Sequence, residues 1–339
     1  MEEGRSGRPG MREVAQLAGV AISSVSRVVT GHPDVSPRMR ERVMEAVDEL
    51  GYEPDLLAQS LRRRATNTVG FVVGDISNPL LAEVALGAER SLGQAGYSML
   101  LTNSENDPER DARDARLLLQ RRVDGLLLSL ASEDHPGTIR TLENADVPVV
   151  LIDRELPASV RASAVLSDHR AGMRAAVSHL LALGHRHIAL ILGQPLRFSR
   201  ERRRGLEDAY GALGLPATYR IAEGTLGSDH GRNATVTLLD DADPPTALIA
   251  GGNQIFVGAL DELIRRGVRI GEELSLVSCD ATPLTQLTVP PISVVKRDSR
   301  ELGRAAAQLL LRRVEHDAGP DLVVLPTRFV PTASCGPPP

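Results

Sequence analysis

Asp75, Asp153, Arg202, Asn253 and Asp280 are the residues of this chain best suited to handle a small molecule. Asp75 follows the apolar run 69–73, Asp153 follows Val149-Val-Leu-Ile152, and Asp280 follows Leu276-Val-Ser-Cys279. Arg202 sits in Ser199-Arg-Glu-Arg-Arg-Arg-Gly205, and Asn253 opens a helix after the apolar run 247–250. Carboxylates and one guanidinium at the ends of buried strands suit a hydroxyl-rich or amine-bearing ligand, because each makes directed hydrogen bonds. Taken singly, each acid is as well explained by a helix cap or a solvated loop, so the set on corresponding loops carries the reading. Catalysis has less behind it. His169, His179, His185, His187 and His230 could pair with an Asp or with Cys279, but no nucleophile elbow, paired metal-ligand helix or phosphate loop accompanies them. His185-Arg-His187 could bring two rings to one side of a strand start and hold a metal; a helix–strand junction with satisfied histidines is the more ordinary outcome. The chain is expected not to be an enzyme, and to need no metal or other cofactor.

A second kind of chemistry, contact with base edges, is suggested near the start. Met11-Arg-Glu-Val-Ala-Gln-Leu-Ala-Gly-Val-Ala-Ile-Ser-Ser-Val-Ser-Arg-Val-Val-Thr30 has the spacing of a helix-turn-helix. Ala15 is small where the second helix must approach the first, Gly19 supplies a left-handed turn, and Val25 locks the second helix back. Val14, Leu17, Val20 and Val28 are expected to complete the buried seam. Ala21, Ile22, Ser23, Ser26 and Arg27 then fall at the start or on the outer face of the second helix, where side chains can enter a major groove.

The elements that must hold these residues follow from periodicity. Gly31-His-Pro-Asp-Val-Ser-Pro37 is a turn cluster, and Ser36 with Pro37 can start an amphipathic helix that Gly51 ends. Val43, Met44, Val47 and Leu50 recur at helical spacing, so a third helix can cover the first two. Beyond Arg64, apolar runs at 69–73, 97–102, 125–130 and 147–152 alternate with helical stretches at 80–93 and 107–121. A second series has helices at 170–183, from 200 and from 254, and strands at 188–192, 247–250 and 275–278. Such alternation predicts two doubly wound parallel sheets with helices on both faces, and ligands at the carboxyl ends of the strands.

Taken together, these motifs resemble the lactose, galactose and purine repressor family of bacterial transcription regulators. The likeness rests on the stretch from Val14 to Val29 and on Leu50-Gly-Tyr-Glu-Pro-Asp-Leu-Leu-Ala-Gln-Ser-Leu61. It continues through Asn67-Thr-Val-Gly-Phe-Val-Val-Gly-Asp-Ile-Ser-Asn-Pro79, Arg122-Val-Asp-Gly-Leu-Leu-Leu128, Leu183-Gly-His-Arg-His-Ile-Ala-Leu190 and Ser275-Leu-Val-Ser-Cys-Asp280, in the family's order. The resemblance implies a disordered arm at 1–10, an all-α helix-turn-helix domain at 11–53 and a hinge helix with linker at 54–66. It further implies a periplasmic-binding-protein-like core at 67–335 and a tail at 336–339. In that core the first lobe takes 67–165 and 297–326, and the second takes 166–296 and 327–335, with crossovers near Val165, Lys296 and Pro326. By the same resemblance Ala58 and Leu61 of the hinge meet DNA, Leu61 as a minor-groove wedge, and Asp153, Arg202 and Asp280 contact an effector. Relatives that bind sugars or purines often have aromatic rings where this chain has Leu80 and Leu81, and another near Leu226. Stacking on a ligand would therefore come from Phe198, from Phe256 or from no ring at all.

Charge and composition agree with that organisation. The formal net charge is −5, but Arg5, Arg8, Arg12, Arg27, Arg38, Arg40 and Arg42 gather in the first segment and Arg62, Arg63 and Arg64 follow the hinge. Arginine is favoured throughout, Lys296 being the only lysine, so the excess by itself does not indicate phosphate binding. Cys279 and Cys335 give neither a metal spacing nor a disulfide framework, no stretch reads as a membrane span, and a cytoplasmic location is expected. The expected function is that of a repressor that binds double-stranded operator DNA as a homodimer under control of a small-molecule effector, with no membrane partner. A solute-binding protein of the periplasmic type, or an enzyme using the cleft, is the alternative.

Overall fold

Glycine and serine at helix ends set the limits of the first elements. In the computed structural model, which describes residues 9–29, 32, 34–52, 65–316 and 319–339, helix α1 (Met11–Ala18) stops at Gly19, whose φ is +61°. A side chain there would strain the turn that leads into α2 (Ile22–Val29). Helix α3 (Pro37–Leu50) starts where Ser36 Oγ accepts the Met39 N–H at 3.3 Å, and ends at Gly51 with φ +60°. Arg42 of α3 donates to the carbonyls of Ala18 and Gly19, so it satisfies the end of α1. Val14, Ala15, Ala18, Val25, Val28, Val43 and Ala46 form the core of this unit, Met1–Thr66. Two residues expected to be buried are not: Leu17 of the seam is 46% exposed, and Met44 of the covering helix 42%. The inward stripe of α1 runs through Val14, Ala15 and Ala18, and Leu17 lies about 100° around the helix from its centre. On α3 the close approach is made by Ala46 instead of Met44.

The second unit, Asn67–Pro339, contains two sheets. The first has the order β11-β5-β4-β3-β1-β2, from β1 (Thr68–Val73), β2 (Ser98–Asn103), β3 (Gly125–Ser129), β4 (Val149–Ile152), β5 (Ala162–Ser167) and β11 (Leu322–Leu325), all parallel. The second has the order β12-β10-β9-β8-β6-β7, from β6 (Ile188–Leu192), β7 (Arg220–Glu223), β8 (Ala247–Ala250), β9 (Ser275–Cys279), β10 (Ser293–Lys296) and β12 (Arg328–Val330). Only the edge strand β12 is antiparallel to its neighbour. The chain leaves the first sheet after Ser167, two residues beyond the expected Val165. It returns after Lys296 and crosses again between Leu325 and Arg328.

Alternate residues of β1 face opposite layers, as a two-residue period requires. Val69, Phe71 and Val73 pack on α4 (Pro79–Gln94) and α12 (Ser299–His316), whereas Val72 packs on α5 (Pro108–Gln120). Helix α6 (Pro136–Glu143) joins the latter layer through Leu142. In the second lobe, α7 (His169–Ala182) and α8 (Arg197–Ala212) cover one face. Helices α9 (Ser228–Leu239) and α10 (Asn253–Arg265) cover the other. A short helix, α11 (Pro283–Leu287), follows β9. Helices α4 and α12 touch backbone to backbone: a Cβ on Gly303 would stand 1.9 Å from Val84 O, and one on Gly87 2.1 Å from Arg300 O. Strands β5, β7, β10, β11 and β12 were not marked by the apolar runs. Strands β7, β11 and β12 are half-exposed edges, and β5 and β10 carry serine within short segments. No helix among the described residues is long and apolar enough to cross a membrane.

Candidate functional site

Ala21 immediately precedes helix α2, and its carbonyl accepts the N–H groups of Ser24 and Val25 at 2.8 and 3.2 Å. Val25 and Val28 turn inward, which leaves Ala21, Ile22, Ser23 and Arg27 exposed and Ser26 half-buried on the other side. Ile22 is 44% exposed, an apolar side chain held out to solvent at the first turn. Ala58 and Leu61 lie outside the described residues.

The carboxyl ends of both parallel sheets face a cleft of about 550 Å³. Asp75, Leu80, Leu81 and Asp153 line it from the first lobe, and Phe198, Arg202, Leu226, Asn253 and Asp280 from the second. Asp75 follows β1, and its Oδ1 accepts from the backbone N–H and hydroxyl of Ser77 at 2.9 and 2.6 Å. Asn78 caps α4 through Leu80 N–H and reaches across the cleft: Asn253 Nδ2 donates to Asn78 Oδ1 at 2.8 Å, and Asn78 Nδ2 donates back at 3.3 Å. Asp153 and Asp280 each follow the last residue of a strand, β4 and β9, with left-handed φ of 51° and 84°. Aspartate tolerates this conformation better than most residues, and strain of this kind at two matching positions marks a site that the fold holds in place.

Both acids are heavily committed. Asp153 accepts from Ser167 N–H at 2.5 Å and Ser167 hydroxyl at 3.0 Å, and it pairs with Arg297. Asp280 accepts from Arg297 Nε at 2.7 Å and lies 3.5 Å from Arg202. Burial opposes ionisation of Asp153, but His169, Arg297 and the Ser167 amide together hold it well below the usual carboxylate range. His169 Nε2 lies 3.3 Å from Asp153 Oδ2 in a poorly aligned contact. Burial, with Arg202 and Arg297 nearby, outweighs Asp153 and pushes the imidazole down to about 4, so it is neutral at neutral pH. Arg297 escaped the sequence reading, although its place just past the carboxyl end of β10 follows the same rule that singled out the other loop residues.

For stacking on a ligand, the structure offers neither candidate ring. Phe256 is fully buried in the core of the second lobe. Phe198 lines the cleft but is only 8% exposed, and the guanidiniums of Arg154 and Arg202 lie 5.2 and 5.1 Å from its ring centre. Neither ring is free to stack on a ligand. The remaining histidines are spread over separate structural contacts. His185 bonds Thr246, Ser275 and Gly336, His187 pairs with Asp243, His230 reaches Leu192 O, and His179 packs on Phe329. Gly336 is thereby tied into the second lobe and does not belong to a loose tail.

Comparison with known proteins bears on both units. Residues 10–55 match the bacterial regulatory proteins of the lacI family, and residues 177–335 match the periplasmic binding protein-like domain. The HTH-type transcriptional repressor PurR of Aliivibrio fischeri is 32% identical over 90% of this chain and 91% of its own length. The chain belongs to the lacI family. Among solved structures, the lac repressor dimer bound to operator and the anti-inducer ONPF is 27% identical with a TM-score of 0.85, covering 97% of this chain and 99% of that one. The transcriptional regulator CelR in complex with cellobiose is 32% identical with a TM-score of 0.73, over 96% of this chain and all of that one. This lacI-family protein is thus a DNA-binding transcriptional regulator, with α1 to α3 in the segment that matches the lacI family and a periplasmic-binding-protein-like core after it.

Proposed function

We propose that this regulator acts in the cytoplasm as a homodimeric repressor on a pseudo-palindromic operator, and that a sugar or other polar metabolite in the cleft alters its affinity for DNA. The observation that carries the reading is the convergence of Asp75, Asp153, Arg202, Asn253 and Asp280, from loops and helices far apart in sequence, on one cavity between two lobes. In this reading Ala21, Ile22, Ser23, Ser26 and Arg27 meet the major groove, and Ala58 and Leu61 meet the minor groove at the operator centre. A single helix reads only a few base pairs, and a two-fold axis supplies the second half-site. Val257 and Ile264 on α10, Leu287 at the end of α11 and Val289 just after it are exposed apolar side chains that a second copy would cover. The named relatives support the same assignment, since one is a dimer on operator DNA and another holds cellobiose.

A ligand that biases the relative orientation of the lobes shifts operator affinity by its differential binding to the two states, typically 5- to 150-fold. The test is a thermal-shift screen of metabolites on the wild type and on Asp280→Ala, followed by operator titration with each hit. A metabolite that stabilises the wild type, fails on the variant and changes operator affinity is the expected result. Equal stabilisation of both proteins by every hit would remove the cleft from the mechanism.

A further inference from the structure

The acids on either side of the cleft already share an occupant. Asp153 belongs to the first lobe and Asp280 to the second, and the Arg297 guanidinium spans them, with Nη1 on Asp153 and Nε on Asp280. Arg297 stands just past β10, where the chain passes from the second lobe to the first, and its side chain is 16% exposed. The other oxygen of Asp153 is taken by the Ser167 amide, with Arg197 at 4.0 Å, and Arg202 stands at 3.5 Å from the other oxygen of Asp280.

We propose that Arg297 is a tethered ligand surrogate: its guanidinium fills the subsite between Asp153 and Asp280, links the lobes when no effector is bound, and restricts that subsite to cations. This inference rests on the reading of the cleft as the effector site. Two buried carboxylates in contact with one guanidinium have little to offer a hydroxyl, which brings no charge to replace the one it displaces. A neutral polyol entering the cleft meets the Asn78–Asn253 amide pair and the leucines at 80, 81 and 226 instead, and it finds no free aromatic face. A guanidine or amine replaces Arg297 with equal charge. The planar fork matters as well, because a lysine ammonium at the same position cannot lie flat between two acids.

The experiment uses the full chain and one defined probe, methylguanidinium at millimolar concentration. Arg297→Ala takes from two facing buried carboxylates the one guanidinium that touches both, so its melting temperature should fall by about 5 °C or more and its radius of gyration in X-ray scattering should rise. Methylguanidinium should restore much of both losses in Arg297→Ala and change nothing in the wild type. Arg297→Lys, which keeps the charge and is the milder change, should show the larger radius even if the alanine variant does not fold alone. A radius equal to wild type in Arg297→Lys, or no rescue in a folded Arg297→Ala, overturns the proposal. If rescue fails while a metabolite still acts through Asp280, the surrogate role alone is lost; if rescue succeeds and no metabolite acts through the cleft, the effector reading alone is lost.

Discussion

Truncating Ile22 to alanine tests the proposed base contact separately from folding. Ile22 is 44% exposed and touches little of the core, whereas Val25, three residues on, is fully buried. Ile22→Ala should leave thermal unfolding within about 0.5 kcal/mol of wild type, the usual range for surface changes. An apolar contact with a thymine methyl contributes on the order of 1 kcal/mol at each half-site, so a dimer on a symmetric site loses about 2 kcal/mol, roughly 30-fold in affinity. The loss should be confined to operators with thymine at one symmetric pair of positions, because phosphate contacts are unaltered. Val25→Ala is the contrasting control: it removes two buried methyl groups, costs about 2 kcal/mol of stability, and weakens all DNA binding together. The assay is selection from a randomised operator library, followed by titration of chosen sites at fixed salt. An unchanged preferred sequence for Ile22→Ala would refute the placement of this residue against bases, whatever the stability data.

Arg202 is 3% exposed and donates to Gly251 O at 2.8 Å, so Arg202→Ala should cost about 2 kcal/mol of stability as well as the effector response. Arg202→Lys separates the two effects, and a full response to a known effector in a stable Arg202→Lys variant would argue against guanidinium recognition at this position. His169 predicts an acid-sensitive limb. Its folded value of about 4 lies below its unfolded value of 6.5, so the unfolded chain binds more protons between those pH values and stability falls as pH drops through that window, by about 3 kcal/mol in all. Asp153, Arg202 and Arg297 are the charged groups that face it, and Asp153 adds a further loss at lower pH, below its unfolded value. Urea unfolding of His169→Asn at pH 6.5 and pH 4.5 should show a flatter dependence than wild type, and an equal slope would sink this account. Gly303→Ala puts a methyl 1.9 Å from Val84 O, so α4 and α12 must separate; a melting temperature within 1 °C of wild type, against an expected fall of several degrees, would contradict the backbone-to-backbone contact.

Much of the architecture was legible because the signals are local. Gly19 and Gly51 mark helix ends by their tolerance of positive φ, and the runs of β1, β3, β4, β6, β8 and β9 are buried on both faces and mostly apolar. Edge strands were harder to see, since β7, β11 and β12 leave much of their surface to solvent and so lack an apolar run. Leu17 and Met44 were misjudged for a related reason: hydrophobicity says that a residue can be buried, whereas its angle relative to neighbouring helices decides whether it is.

The candidate cleft divides along the same line. Residue type and position after a strand were enough to select Asp75, Asp153, Asn253 and Asp280, because a parallel sheet sends every such connection to the same end, whereas Arg202 lies inside α8 and its effector role was implied by the family resemblance. Which of those groups remain open depends on partners distant in the chain: Arg297 joins Asp153 to Asp280 across 144 and 17 residues, and Phe198 lies between arginines from two lobes. The sequence by itself determined the helix-turn-helix, the doubly wound lobes and the loops that meet in the cleft, since these follow from short-range periodicity and turn chemistry. Only the tertiary structure decided how charge is shared within the cleft, because the state of an ionisable group is set by what burial and packing bring within a few ångströms of it.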